Sequence, residues 1–143
     1  MPHSRKLPAV LASGALALTA SSGARAHHSF AMFDSTQCKA IAGTVRNFQW
    51  TFPHSWIWLN VPGRNGTVQV WGFEGEPPSD LSRQGWKKNT LQKGDKVNLH
   101  YNPLRDGRMG GAFSSALLPD GTLLMAIRGK GDACAEIVKP AAR

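Results

Sequence analysis

After residue 39 the chain is built from short runs in which apolar and polar residues alternate, each ended by glycine, proline, Asn-Gly or Asp-Gly. That period of two belongs to half-buried strands, and the frequent breakers leave little room for helix. In the run from Ser55 to Val61, residues Ile57, Leu59 and Val61 point one way and Trp56, Trp58 and Asn60 the other. The turn Pro62-Gly63-Arg64-Asn65-Gly66 leads into a run from Thr67 to Phe73, where Val68 and Val70 oppose Trp71 and Phe73. Lys96 to Tyr101 alternates cleanly, with Val97, Leu99 and Tyr101 on one face. Ala112 to Leu118 and Thr122 to Arg128 form a hairpin around Pro119-Asp120-Gly121. The first run, Ala40 to Trp50, changes phase: Ile41 and Val45 share one side, Phe48 and Trp50 the other. A bulge or strong bend, eased by Gly43 and Asn47, reconciles the two halves.

The exception to this pattern lies between the third and fourth strands. Glu74 to Pro78 reads as a solvated loop, and Ser79 is placed to cap a short helix over Asp80 to Gln84 that Gly85 ends. Three strands, one short helix, a strand and a hairpin is the order of an OB-type barrel. The expected fold is therefore all-β, a small closed or partly open barrel of five or six strands. Barrel closure also accounts for a bent first strand. A β-sandwich is the alternative.

Residues 1–26 carry the marks of a cleavable secretory signal: Arg5 and Lys6, an uncharged apolar run from Leu7 to Ala20, then Ala24-Arg25-Ala26. The run is short for a membrane span, which takes roughly 20 apolar residues, and a retained anchor is the alternative. Residues 27–143 then form one β domain with a flexible N-terminal arm at 27–37, and the expected location is periplasmic or secreted. No later segment is long and apolar enough to span. Both cysteines, Cys38 and Cys134, fall in this part, and in an exported domain two cysteines most simply form a disulfide. Closing a loop of roughly 100 residues stabilises by up to about 4–5 kcal/mol in the chain-entropy account. Neither cysteine has metal-ligand spacing. The leader holds three of the 17 basic residues and none of the nine acids. The remainder is mildly basic, with scattered charges and no run suited to nucleic acid.

A family resemblance rests on several motifs together. They are His27-His28-Ser29-Phe30 with Phe33-Asp34; Gly43-Thr44-Val45 with Phe48-Gln49-Trp50 and Pro53-His54-Ser55-Trp56-Ile57; Leu81, Gly85-Trp86, Leu91, Gly94-Asp95 and Val97; and Pro103, Arg105-Asp106-Gly107 and Asp120-Gly121. In combination the chain resembles the DUF6152 family, exported bacterial proteins without an assigned function. The resemblance implies export and a small β domain and supplies no reaction. The family usually has Asn before the Pro-His pair; here Phe52 stands there.

Three candidate chemistries follow. Cleavage after Ala26 gives His27 a free α-amine beside its imidazole, and with His28 this is a nitrogen-rich pair suited to Cu(II). His54, in the loop after the first strand, is a candidate third imidazole; alternatively it bonds a backbone carbonyl and shapes the Pro53 turn. His100 reads as a surface histidine. The second candidate is an aromatic ligand face of Trp56, Trp58 and Trp71, which requires the outer faces of two strands to coincide; otherwise these rings form a second small core. A small ligand, a glycan or an envelope protein fits such a face better than nucleic acid, which is scarce outside the cytoplasm. The third candidate is catalysis. Glu74 and Glu76, flanking Gly75, form a carboxylate pair by sequence, but their proline-rich context reads as a solvated loop. There is no nucleophile elbow, phosphate loop or HExxH, and no catalytic residue is assigned. The expectation is a non-enzymatic binding protein with copper as its candidate cofactor, or else a purely structural envelope protein.

Overall fold

A computed structural model of the protein describes residues 30–129 and 131–137. Residues 1–26, expected to be a secretory signal, and the His27-His28 pair lie outside the described residues.

Six strands form one sheet: β1 (Lys39–Gln49), β2 (Trp56–Pro62), β3 (Val68–Glu74), β4 (Lys96–Pro103), β5 (Gly110–Leu117) and β6 (Leu123–Met125). Their order is β3-β2-β1-β4-β5-β6, and a parallel pairing of β3 with β5 closes the first five into a barrel. This is the closed, mainly β architecture that the order of elements predicts, with β6 as an added strand. The bend in β1 is real. Its register shifts between Val45 and Asn47, so Val45 and Phe48 both turn toward the core. Before the bulge β1 pairs with β4 from Lys39 to Thr44; from Thr44 onward it pairs with β2. One strand thus serves both walls.

The helix α1 spans Pro78–Arg83 rather than Asp80 to Gln84. Pro78 takes the first helical position, where its fixed φ suits a helix and its missing N–H costs nothing. Ser79 is therefore inside the helix and does not cap it; no side chain bonds the helix start. The helix delivers Leu81, and then Trp86, into the barrel, and the Trp86 indole donates to Met125 O at 2.7 Å. Val45, Ile57, Leu59, Phe73, Leu99 and Phe113 complete the centre of the core.

The last strand is shorter than its alternation suggests. β6 pairs with β5 only from Ser115 to Leu117, because β3 occupies the same edge of β5 from Gly110 to Ala112. Beyond Met125 the chain leaves the sheet, and the last described residues form a second helix, α2 (Ala133–Ile137), which lacks a sequence signal of its own. The disulfide Cys38–Cys134 joins α2 to the residue before β1.

Of the N-terminal arm expected at 27–37, residues 30–37 are described, and they pack on the barrel. A 3-10 turn covers Phe30–Met32, Phe33 is buried and bridges Leu104, and Asp34 N donates to Pro103 O at 2.8 Å. Among the described residues no helix is long and apolar enough to cross a membrane.

Candidate functional site

Pairing of β2 with β3 decides which aromatic rings share a face. Ile57 lies opposite Phe73 and Leu59 opposite Trp71, while Trp56 lies opposite Glu74 and Trp58 opposite Gly72. Ile57, Leu59 and Phe73 are buried, so residues of their parity face the barrel interior. Trp71 goes with them. It stacks on Phe73 at 6.3 Å and meets the Tyr101 ring edge-on at 6.4 Å. The expected face of Trp56, Trp58 and Trp71 is thereby corrected: two of these rings point outward, and the third packs against the core.

Trp56 and Trp58 stack nearly parallel outside the barrel, 5.7 Å between centroids and 16° apart. Gly72 makes room for them. A Cβ at that position would lie 2.7 Å from Trp58 Cζ3, so the ring rests directly on the β3 backbone. Gln49 Oε1 accepts from Trp58 Nε1 at 3.2 Å. The rings line a groove of about 460 Å³, walled by Met32 of the arm and by Leu104, Arg108 and Met109 of the loop between β4 and β5. Arm and loop are joined: Arg105 N donates to Met32 O at 2.9 Å, and Arg105 Nε to Ala31 O at 3.0 Å. Arg108 is braced by Asp106 at 2.7 Å. Glu74 supplies a carboxylate to the same groove.

His54 sits beside this carboxylate. Its Nδ1 lies 3.0 Å from Gly75 O and 3.2 Å from Glu74 Oε1, and the Phe30 ring meets the imidazole edge-on at 5.8 Å. A carbonyl oxygen only accepts, so the contact with Gly75 places the proton on Nδ1. His54 thus makes the backbone bond that its alternative role requires. Among the described residues no cluster of three or more His, Cys, Asp and Glu is placed to hold a metal ion. His100 faces Ser115 Oγ at 3.0 Å, half-buried and away from the groove.

The Glu74 to Pro78 segment is not the solvated loop its prolines suggest. Glu76 Oε1 lies 3.2 Å from Arg128 Nε, an ion pair rather than an aligned hydrogen bond, with side chains 14% and 11% exposed. Arg128 also donates to Glu74 O, Phe113 O and Asn102 Oδ1. Burial pushes the Glu76 carboxyl up, and the Arg128 charge draws it back only in part. Burial also lowers the Arg128 guanidinium from its usual value, opposed by Glu76, Asp132 and Glu74. Behind this pair lies a second polar knot. Asp132 accepts from Asn102 Nδ2 at 2.9 Å, Ser114 Oγ at 2.9 Å and Cys134 N at 2.8 Å. Sequence reasoning missed Asn102, Ser114, Arg128 and Asp132. The one available signal was an arginine ending an otherwise apolar strand.

The chain matches a family of unknown function, DUF6152, over residues 15–114. The chain belongs to the DUF6152 family. Comparison with curated proteins and with solved structures found no match. The DUF6152 match takes in His54, Glu76 and every residue lining the Trp groove, and it ends before Arg128, Asp132 and Cys134. The disulfide favours an oxidising, non-cytoplasmic compartment.

Proposed function

We propose that this DUF6152 protein is an exported, non-enzymatic binding protein that acts in the periplasm or outside the cell. Its site is the groove on the outer face of β2 and β3. The observation that carries this reading is the Trp56–Trp58 stack, which forms part of an open groove of about 460 Å³ instead of packing into the core. Such rings offer large apolar faces at little conformational cost. The OB-type barrel presents this same face, with the same flanking loop, as a platform for oligonucleotides and oligosaccharides. Arg108 and Glu74 give the groove polar ends of opposite sign. An amphipathic ligand with a flat ring and a charged group satisfies all of these features. The mixed signs and the scattered basic charge of the chain argue against a nucleic-acid strand.

Anilinonaphthalene sulfonate, a flat aromatic anion, is a suitable probe. It is expected to bind the exported protein at one site. Trp58→Ala is expected to weaken it by at least about tenfold, or about 1.4 kcal/mol, with the thermal midpoint little changed. Equal binding by wild type and variant would remove the groove from consideration.

A second reading is supported by His54. With the proton on Nδ1, the other ring nitrogen, Nε2, carries the lone pair. A histidine oriented in this way by a carbonyl and a carboxylate has the outer-shell support typical of metal ligands. His54 also touches Phe30, only two residues beyond His28. Cu(II) held by the α-amine and imidazole of His27, with His28 and His54, is the corresponding proposal. One residue added before His27 should weaken Cu(II) binding strongly; unchanged affinity would end this reading.

A further inference from the structure

We infer that the Trp groove is a site for a soft monovalent cation, of the Cu(I) and Ag(I) class, held by the thioethers of Met32 and Met109. This deepens the groove reading above and rests on that groove being open to ligand.

Methionine is ordinarily a filler of irregular core space. Here two methionines from distant parts of the chain line one groove, Met32 at 47% and Met109 at 49% exposure. The backbone holds them there. Leu104 and Arg105 run between their segments: Arg105 N donates to Met32 O, Phe33 bridges Leu104, and Leu104 N donates to Gly110 O at 3.4 Å. The two methionines are therefore carried on segments that flank the Leu104–Arg105 stretch, both bonded to it, and both side chains line the same groove.

The donor set selects the ion. A neutral thioether is a poor ligand for hard cations such as Mg(II) and a good one for Cu(I). The Trp56 and Trp58 rings add electron-rich faces that attract a cation approaching a desolvated groove. Glu74 in the same groove supplies negative charge for a monocation, while the positive charge of Arg108, which also lines the groove, is paired with Asp106 at 2.7 Å. An apolar ligand alone would need none of the sulfurs. The site also differs from the nitrogen-rich Cu(II) set of His27, His28 and His54 in both donor atoms and oxidation state.

The test uses the exported protein in a His27→Ala, His28→Ala background, titrated with silver nitrate in chloride-free buffer. Ag(I) needs no reductant and changes no oxidation state. Native mass spectrometry counts the bound ions, and tryptophan fluorescence reports their contact with the indoles. One bound Ag(I) with quenching is expected, with at least about tenfold weaker binding in Met32→Leu and in Met109→Leu, and none in the double variant. Leucine keeps the apolar volume and removes the sulfur, so binding of anilinonaphthalene sulfonate should persist in all three. Absence of Ag(I) binding in the parent, or its persistence in the double leucine variant, would overturn the proposal. If the probe fails to bind any form while Ag(I) binding still requires both methionines, the organic-ligand reading fails and the soft-cation site stands.

Discussion

The Arg128 guanidinium lies over the face of the Phe30 ring, 4.7 Å from its centre, and so joins the start of the described chain to the segment that follows the last strand. Phe30 begins the arm that walls the Trp groove, and Arg128 follows the last strand. Between them Arg128 holds Glu76, whose segment also positions Glu74 and the carbonyl of Gly75 that orients His54. The groove's polar end is thus built from three stretches of sequence that meet around one arginine.

The two halves of this ion pair should respond unequally to substitution. Arg128→Met leaves the Glu76 carboxylate and the carbonyls of Glu74 and Phe113 without their donor. It is expected to destabilise by about 3–5 kcal/mol, the usual cost of breaking a buried pair from one side. In Glu76→Gln, Arg128 retains its carbonyl and amide partners, and the loss should be much smaller. Urea denaturation at pH 7 measures both. Equal losses would show that the carboxylate, and not the carbonyl set, is the main partner of Arg128.

The same carboxyl predicts a pH dependence. Burial raises the folded-state value of Glu76 above the ordinary 4.5. Its contribution to stability is therefore full below 4.5 and is lost as pH rises through the raised folded value. Glutamine mimics the protonated acid, so Glu76→Gln should gain on wild type as pH increases through that window. Denaturation midpoints of the two proteins measured in parallel from pH 4 to 7 would decide the point; a constant difference would be the contrary result.

Asp34 runs the other way. Hydrogen bonds from the Thr36 hydroxyl and the Gln37 amide hold its carboxyl below the ordinary 3.8, with Arg105 3.6 Å away adding a smaller pull. The support it gives the arm is present above 3.8 and fades as pH falls through the lower folded value. The Phe33 and Asp34 amides, whose N–H groups are tied to Phe30 O and Pro103 O, should therefore be less protected against exchange near pH 3 than at pH 5, once rates are corrected for the intrinsic pH dependence of exchange. Asp34→Asn should show the acid behaviour already at pH 5.

How much of this was legible in the sequence depended on the range of the interactions involved. Strands β2 and β4 were readable because alternation is local, and the β1 bulge because Val45 and Phe48 break that alternation within four residues. The Cys38–Cys134 pairing followed from export and a count of two. The orientation of Trp71 was not readable, because its face is fixed by pairing with Leu59 across a turn. Glu76 looked solvated because its partner Arg128 is more than 50 residues away. Helix α2 is too short for a periodic signal; the disulfide and the Asp132 bond to Cys134 N hold it in place.

The disulfide should matter to stability without touching the groove. It closes a separation of 96 residues, and neither cysteine lines the Trp groove. Replacing both cysteines with serine is expected to cost about 3–5 kcal/mol in the chain-entropy account. At temperatures where the variant remains folded, anilinonaphthalene sulfonate should bind it with wild-type affinity. Loss of binding in the folded variant would mean that α2 and the arm set the groove's shape through the Cys38 end.

A substitution at Gly72 tests the groove from beneath. The added methyl of Gly72→Ala would stand 2.7 Å from Trp58 Cζ3 and 3.0 Å from Trp58 Cη2, closer than real side chains approach. The backbone has little freedom to yield, since Gly72 pairs with Trp58 on one side and Gly110 on the other. Trp58 is outside the core, so its ring can swing away at modest cost, breaking the stack on Trp56 and the bond to Gln49. The expected outcome is a small shift in thermal midpoint and at least about tenfold weaker binding of anilinonaphthalene sulfonate. Ag(I) binding, if the indoles take part, should lose its fluorescence quench while the ion stays bound to the two sulfurs. A variant that unfolds would show that Trp58 supports the barrel; one that binds the probe as wild type does would show that the ring's resting position is irrelevant to the ligand.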